Sequence, residues 1–299
     1  MTESPFDLNF DPVYGASETV TPLVRRITAP NPSPFTFRGT NTHIVGRGRV
    51  AVIDPGPADP AHTDAILAAL GGDDVSHILV THTHRDHSPG VPALKAATGA
   101  TVLAAGPHKS RSGLALDGLE AGADRAFVPD AVLRDGDVIA GDGWTVEAVF
   151  TPGHAANHLA FALKQENALF AGDHVMGWST TVVAPPDGHM GEYMASLRRL
   201  LDRPERLYLP AHGAPVPDGR KLTRHLITHR EMREAAILDQ VRRGVNRIDE
   251  IVLAVYRGLD PRLRRAAALS AFAHLEHLVE RGLVQADGPL GLESRFRPA

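Results

Sequence analysis

The chain has 299 residues, of which 43% are hydrophobic, and a formal net charge of −4 at pH 7. A chain of this size can bury a substantial core, and it suits one large domain or a large domain with a small one. It contains no cysteine, which excludes disulfides, thiolate metal ligands and cysteine nucleophiles. No apolar run approaches the ~20 residues that span a bilayer, and the amino terminus does not resemble a secretory signal. We therefore expect a cytoplasmic protein without a membrane segment.

The charge is unevenly distributed along the chain. Residues 1–212 hold 16 Lys and Arg against 24 Asp and Glu, whereas residues 213–299 hold 15 against 11. A basic carboxy-terminal piece can bind a polyanion, or its arginines can simply lie on solvated helix faces. Charge alone slightly favours the second interpretation.

Short strands and turn signals dominate the first two thirds of the chain. Residues 1–34 are rich in Pro, Asn and Asp and are expected on the surface. Strands are predicted at 39–46, 49–56, 78–80, 101–104, 132–139, 144–150, 159–163, 168–170, 180–183 and 206–209, and helices at 60–70, 91–97 and 192–202. Strands outnumber helices, and the connections are too short for an all-parallel sheet. The order predicts two packed sheets with helices outside, an α+β fold.

The pattern changes to helical spacing from Lys221 onwards. One long helix is predicted first, and then three short ones at 248–256, 263–267 and 269–279, with a closing strand at 282–285. Three small helices and a strand form a plausible compact appendage to the larger body.

The stretch from Ile78 to Ser88 carries the strongest chemical signal. A short apolar strand runs into three histidines and a carboxylate within six residues: His82, His84, Asp86 and His87. His82 and His84 are two residues apart, so on an extended backbone their side chains project to the same side. Imidazole is the commonest protein ligand of metals, and carboxylates often accompany it. A polar loop with surplus histidines is the alternative, but packing has no need of so many imidazoles. The stretch predicts half of a metal site.

Three later strands each end at a polar residue: His154 after 144–150, Asp173 after 168–170, and His212 after 206–209. Taken singly, each is a weak signal, because a strand-end histidine is more often a cap or a surface residue. Taken together, they raise the number of candidate ligands to seven. Seven protein ligands exceed the needs of one tetrahedral zinc and suit two metals that share a carboxylate.

The set resembles the signature of the metallo-β-lactamase superfamily. The residues that carry it are Thr81-His82-Thr83-His84-Arg85-Asp86-His87, then Gly153-His154, Gly172-Asp173 and His212-Gly213. The resemblance covers about residues 20–215 and implies an αββα sandwich with the metals at the edge of the sheets. It implies that His82, His84 and His154 hold one metal, that Asp86, His87 and His212 hold the other, and that Asp173 bridges them. Asp54 falls at the position of a supporting aspartate. Two zinc ions are expected, although iron or manganese also accept such ligands.

Residues 34–42 and 184–197 resemble the β-lactamase-like protein 2 subfamily. Its members carry a carboxy-terminal winged-helix-like domain, and characterised members are zinc-dependent endoribonucleases. The resemblance divides the chain into an amino-terminal extension (1–19), a catalytic domain (20–217), a linking helix (218–244) and a winged-helix-like domain (245–299). His43, Asn157 and Ala211 depart from the usual Tyr, Asp and Gly, and these departures bear on substrate preference. The candidate substrate-binding residues are Asn41, Asn157 and Tyr193.

Hydrolysis is the chemistry that such a site favours. Zinc lowers the pKa of bound water from ~16 to about 7, and two metals roughly 3.5–4 Å apart can also polarise a phosphoryl or carbonyl oxygen. Asp86 is the candidate to orient or deprotonate the nucleophile. The candidate donors to the leaving group are His158, unless its role is structural, and metal-bound water.

Three functions fit these residues. The first is an endoribonuclease acting on single-stranded RNA, with basic residues that could bind phosphates: Lys221, Arg224, Arg230, Arg233, Arg242, Arg243 and Arg247. The alternative is a thioester or lactone hydrolase acting on a small molecule, as in glyoxalase II-like enzymes. The third is a metal-stabilised scaffold that binds a partner, which the seven-ligand set disfavours because a scaffold needs only one closed site. The oligomeric state is left open.

Overall fold

The structure, a computed structural model, describes residues 4–110 and 122–299. The first three residues of the predicted amino-terminal extension lie outside the described residues. Within the described part, two β-sheets pack against each other, and helices cover their outer faces. The four layers follow the order helix, sheet, sheet, helix, which confirms the predicted αββα sandwich of the α+β class.

The first sheet is formed by the amino-terminal half of the chain. Its described strands follow one another in chain order: β1 (Glu18–Thr21), β2 (Val24–Thr28), β3 (Asn41–Val45), β4 (Arg49–Ile53), β5 (Asp74–Leu79), β6 (Thr101–Ala104) and β7 (Ala131–Val132). Strands β1 to β4 pair antiparallel, and β4 to β7 pair parallel. Parallel neighbours need crossover connections. Helices α1 (Pro60–Leu70) and α2 (Val91–Thr98) supply two of them.

The second sheet follows in the chain. Its described strands lie in the order β12, β11, β10, β9, β8, with bounds β8 (Val138–Gly141), β9 (Trp144–Phe150), β10 (Leu159–Leu163), β11 (Ala168–Gly172) and β12 (Leu207–Pro210). Strands β11 and β12 pair parallel, and helix α3 (Met190–Leu201) connects them. Helix α4 (Gly219–Arg242) then packs beside α3.

Three buried clusters hold the layers together. The cluster between the sheets includes Ile53 and Leu79 from the first sheet, and Phe161 and Phe170 from the second. A second cluster lies between the first sheet and helices α1 and α2. A third lies between the second sheet and helices α3 and α4. Strands that are buried on both faces explain the continuous apolar runs in the sequence.

The carboxy-terminal part has a core of its own. It contains α5 (Ile248–Val255), α6 (Arg264–Glu280) and the antiparallel pair β13 (Val284–Asp287) and β14 (Arg295–Pro298). Helix α4 belongs to both parts, because its first half packs on α3 while Ile237 and Val241 enter the carboxy-terminal core. The predicted limits between the four segments stay predictions. None of the described helices is long and apolar enough to cross a membrane.

The predicted elements differ from the structure in several places. Residues 1–34, expected on the surface, include strands β1 and β2 of the first sheet, and Val24 and Ile27 are fully buried there. Residues 180–183 form an extended loop without strand pairing, and its carbonyls bind side chains of neighbouring segments. The strand predicted at 132–139 is divided into the end of β7 and the start of β8, because Asp135 to Asp137 form a turn. The two helices predicted at 263–267 and 269–279 are one continuous helix, α6, because no Gly or Pro interrupts its apolar face.

Gly153 provides a test of the packing around the loop that follows β9. A Cβ at Gly153 would lie 2.3 Å from both N and Cα of Tyr193, and the backbone φ is +134°. We expect Gly153→Ala to lower the free energy of unfolding by about 2 kcal/mol more than Gly143→Ala. Gly143 is a matched control, since its φ is +74° but no atom lies within 4 Å of an added Cβ. Denaturant unfolding measures both values, and equal destabilisation would contradict the predicted clash.

Candidate metal centre

The seven predicted ligands come from strand ends that meet at one edge of the sandwich. Four of them follow β5 on the loop from Thr81 to Ser88, and the other three follow β9, β11 and β12. Two backbone hydrogen bonds join these segments: Leu159 N–H donates to Thr81 O, and Ala211 N–H donates to Gly172 O. The structure therefore brings together all seven residues, although they are as much as 130 positions apart in the sequence.

The ligand atoms form two groups, each within 4.8 Å: His82, His84 and His154, and then Asp86, His87, Asp173 and His212. In the first group, His84 Nδ1 lies 2.9 Å from His82 Nε2 and 3.1 Å from His154 Nε2. In the second, His212 Nε2 lies 3.2 Å from a carboxylate oxygen of both Asp86 and Asp173. The division matches the two ligand sets that the family resemblance implies, and the assignment of these residues as ligands stays a prediction.

Asp173 connects the two groups through its separate carboxylate oxygens. Its Oδ1 lies 3.6 Å from His87 Nε2, in the second group, while its Oδ2 lies 3.5 Å from His154 Nε2, in the first. A carboxylate with one oxygen toward each group has the geometry of a bridging ligand. This position agrees with the bridging role expected for Asp173.

Asp54 supports the second group from behind. Its backbone has a left-handed φ of 50°, and its carboxylate accepts hydrogen bonds from Thr81 N–H (2.8 Å), Thr81 Oγ1 (2.7 Å) and His87 Nδ1 (2.9 Å). The bond to Nδ1 fixes the tautomer of His87, so that Nε2 faces the other ligands. Asp54 thus lies where a supporting carboxylate is predicted.

The other four imidazoles are also held through the ring nitrogen that faces away from the centre. His82 Nδ1 binds Thr81 Oγ1, His154 Nδ1 donates to Val182 O, and His212 Nδ1 donates to Gly39 O. His84 is the exception in orientation, because its Nδ1 faces the centre and its Nε2 lies 3.2 Å from Asp187 Oδ2. Such outer hydrogen bonds orient ligands and raise their basicity.

Sequence reasoning did not identify Asp187 as a functional residue. Its carboxylate accepts from His84 and, at 2.8 Å, from the backbone N–H of Ala156. It lies within the 184–197 stretch, but no local pattern indicates that it reaches His84. A carboxylate directly before Gly188 resembles an ordinary turn residue, and only the folded loop reveals its contact.

Ion pairing outweighs burial in setting the charge of the cluster. Burial disfavours the charged forms, yet the His87 imidazole holds the pKa of Asp86 well below its usual range. His212 likewise lowers the pKa of Asp173. Burial also opposes protonation of His212, but the carboxylates of Asp173 and Asp86 raise its pKa to about 10. The two carboxylates of the second group are therefore ionised, and they stabilise a positive charge placed beside them.

The donor atoms fit metal ions. Among the described residues, His87 Nε2, Asp173 Oδ1 and His212 Nε2 are buried side-chain atoms without a hydrogen-bond partner, and they converge in the second group. Buried polar atoms are almost always paired, so three unpaired atoms in one place indicate a ligand. Imidazole and carboxylate donors suit zinc, and they also accept iron or manganese.

The two candidate catalytic residues have very different surroundings. Asp86 is in the second group, 3.3 Å from His87 Nε2, and lines an open cavity. His158 is fully buried behind Asp173, where its Nδ1 binds Thr151 Oγ1 at 2.8 Å and its Nε2 accepts the Asp173 N–H at 3.2 Å. Because both ring nitrogens are engaged, His158 is badly placed to protonate a leaving group, and its geometry favours the structural role.

The candidate substrate-binding residues do not line the cavity. Tyr193 is fully buried in the core, and its hydroxyl donates to His174 O. Asn41 joins the two sheets, because its Nδ2 donates to Pro210 O and Gly213 O beside His212. Asn157 Nδ2 donates to Thr83 Oγ1 at 3.0 Å and so braces the ligand loop. The structure thus places all three side chains outside the lining of this cavity, where their hydrogen bonds hold segments around the ligand groups.

A cavity of about 650 Å³ opens on both ligand groups. His84, Asp86, His154 and Asp173 lie in its wall. Most of the remaining wall is apolar and comes from Phe35, Met176, Val182, Ala184, Pro185, Pro186, Ala266 and Leu269. Ala266 and Leu269 belong to α6, so the carboxy-terminal part of the chain contributes directly to this cavity.

Asp54→Asn tests the support of the second group. The substitution replaces an acceptor of three hydrogen bonds with an amide that cannot accept all of them, so we expect the affinity of one metal ion to fall about 10–100-fold. Metal content after dialysis against a graded chelator series measures this loss, with Asp59→Asn, at the exposed cap of α1, as the control. Two ions retained with unchanged affinity would show that Asp54 does not support a metal ligand.

Comparisons with known proteins match both parts of the chain. A family profile described as metallo-beta-lactamase superfamily covers residues 35–212, and one described as beta-lactamase associated winged helix domain covers residues 248–291. A metallo-beta-lactamase family protein from Thermus thermophilus is similar in structure, with a TM-score of 0.74 at 26% identity, covering 94% of this chain and 100% of that one. A beta-lactamase domain protein from Burkholderia ambifaria gives a TM-score of 0.79 at 23% identity, with 97% and 96% covered.

Relatives in sequence include fungal proteins. The lactamase-like protein adaB of Aspergillus niger is 34% identical over 266 residues, 83% of this chain and 78% of that one. The atrochrysone carboxyl ACP thioesterase of Aspergillus terreus is 33% identical over 283 residues, 89% of this chain and 82% of that one. These relatives do not support the expected resemblance to the endoribonuclease subfamily, whereas the fold and the winged helix domain are confirmed. The chain belongs to the metallo-beta-lactamase superfamily and carries a beta-lactamase-associated winged helix domain.

Proposed function

We propose that this protein is a hydrolase of acyl thioesters that uses a dinuclear metal centre. The observation that carries the proposal is the largely apolar cavity of about 650 Å³ that opens on both ligand groups. Phe35, Met176, Val182 and Leu269 offer an acyl chain a surface on which it can leave water. An RNA strand would instead need an extended groove with a series of aromatic side chains on which successive bases stack, and Phe35 is the only Phe, Tyr or Trp among the described residues of this wall.

The relatives support the same substrate class. The Aspergillus terreus relative is named as a thioesterase, and the similarity extends over 89% of this chain. The alternative expected from the sequence, a thioester hydrolase acting on a small molecule, is therefore preferred to the endoribonuclease.

The chain's own residues account for the positioning of the reaction. When bound, two metal ions would activate a water molecule and polarise the thioester carbonyl. Asp86 lies in the cavity wall, 3.2 Å from His212 Nε2, and its pKa is held well below the usual range, so as a carboxylate it can accept a hydrogen bond from the attacking water and orient it. Asp187 and Asp54 keep the imidazoles of His84 and His87 in fixed tautomers during turnover.

The chemistry of the leaving group also favours a thioester. A thiol has a pKa of about 8.5, so a thiolate can depart without a strong proton donor. Cleavage of RNA expels an alkoxide, which needs protonation. His158, the side-chain donor that the sequence suggested, is engaged through both ring nitrogens. The less demanding leaving group therefore fits the site better.

Two of the seven basic residues offered for RNA are engaged within the protein. Arg230 is buried, donates to Thr181 O and lies over the ring of Tyr193. Arg233 donates to Val255 O and lies 4.1 Å from the Tyr256 ring centroid. These two side chains stabilise α4 against its neighbours. Others are exposed along α4 or at its end, as the interpretation of solvated helix faces expects: Lys221, Arg224, Arg242 and Arg243.

A paired substrate panel tests the proposal. Metal-loaded protein should hydrolyse a medium-chain acyl thioester, and Asp86→Ala should lower kcat about a hundredfold or more, because it removes the group that orients the attacking water. Release of free thiol measures the rate, and Asp64→Ala, an exposed change on α1, should retain full activity. Labelled single-stranded RNA should remain intact in the same buffer. Cleavage of RNA that Asp86→Ala abolishes, without thioester hydrolysis, would replace the proposal with a nuclease.

A further inference from the structure

The wall of the cavity at the candidate centre contains both acidic and basic side chains. Asp86, Asp173 and Asp187 lie in its wall around the metal ligands. Two arginines, Arg85 and Arg265, also lie in the wall, and neither takes part in the hydrolysis described above. A cavity that needs only to bind an apolar acyl chain has no use for cations, so these side chains indicate a second, anionic part of the substrate.

Arg265 is available to bind a ligand. Its side chain is exposed at the first turn of α6, and it has no hydrogen bond or ion pair with the described part of the chain. The two residues that begin α6 are Arg264 and Arg265, and the first turn has neither an acidic residue nor a side-chain cap. Arginines at the positive end of a helix oppose the helix dipole. An anion beside Arg265 would relieve this repulsion.

Arg85 lies in the same wall but is anchored. Its Nε donates to Ala123 O at 3.3 Å, and its backbone N–H donates to Gly122 O at 2.7 Å. The anchor involves the guanidinium itself, through Nε, and Arg85 lines the cavity. Guanidinium groups bind phosphate through paired, charge-assisted hydrogen bonds. Arg85 and Arg265 thus give the cavity one anchored cationic group and one without a partner in the described part of the chain.

We propose that Arg265, assisted by Arg85, binds a phosphate group on the thiol half of the substrate, so that the preferred substrate is a thioester of a phosphorylated pantetheine. This inference rests on the proposed thioesterase function. The acyl chain then lies on the apolar wall, the carbonyl reaches the ligand groups, and the phosphate lies at Arg265.

The test compares two thioesters of the same acyl group, one of 4′-phosphopantetheine and one of pantetheine. The wild-type, metal-loaded protein should have a kcat/KM about tenfold or more higher for the phosphorylated substrate, through a lower KM. Arg265→Ala should remove this preference by raising KM for the phosphorylated substrate alone. Arg264→Ala is the matched control, because it removes a neighbouring charge of α6 that does not line the cavity.

Binding provides a second readout that does not depend on turnover. Calorimetric titration with 4′-phosphopantetheine and with pantetheine should give a difference in Kd that Arg265→Ala abolishes and Arg264→Ala leaves in place. If Arg265→Ala raised KM equally for both thioesters, the inference would be overturned. It would also be overturned if Arg265→Ala raised KM only for substrates with a carboxylate on the acyl half. Failure of the wild type to hydrolyse any thioester would overturn the proposed function instead, and hydrolysis without preference for the phosphate would overturn only the inference.

Discussion

The contact on which the site depends is the one that Asp173 makes with both ligand groups. One carboxylate oxygen faces His87 and His212, and the other faces His154. Bringing several imidazoles and two carboxylates out of water is costly unless the charges are compensated. These groups lie together at the edge of the sandwich, where strands β5, β9, β11 and β12 end. The loop after β5 projects four ligands and the other three segments project one each, and the rigid sheets fix their separation.

Support for the ligands is distributed over the whole catalytic part of the chain. Asp54 follows β4, Asp187 lies on the loop before α3, and Gly39 O precedes β3. Each of these groups holds the ring nitrogen that faces away from the centre, so the orientation of the imidazoles depends on several segments of the chain. The winged helix domain adds a further element, because Leu269 of α6 forms part of the cavity wall. The substrate cavity is therefore a product of both parts of the chain.

The sequence was sufficient to predict which residues come together in the two groups because their signal is local. His82, His84, Asp86 and His87 are nearly contiguous, and His154, Asp173 and His212 each end an apolar strand. Asp187 has no such signal, because its contact with His84 spans 103 positions. Burial cannot be judged from a short motif, so the sequence did not indicate that the side chains of Asn41 and Tyr193 lie inside the protein. The expectation of RNA rested on the subfamily resemblance and on the basic carboxy-terminal piece, neither of which reports on a cavity wall assembled from scattered residues.

A metal titration of the metal-free protein tests the central claim most directly. Zinc is added in steps while thioester hydrolysis and bound metal are measured in the same samples. If both ligand groups act in one reaction, activity should rise with the second equivalent of metal and reach its plateau at about two ions per chain. Thioester hydrolysis that is complete at one equivalent, or that persists in the metal-free protein, would contradict a dinuclear hydrolase.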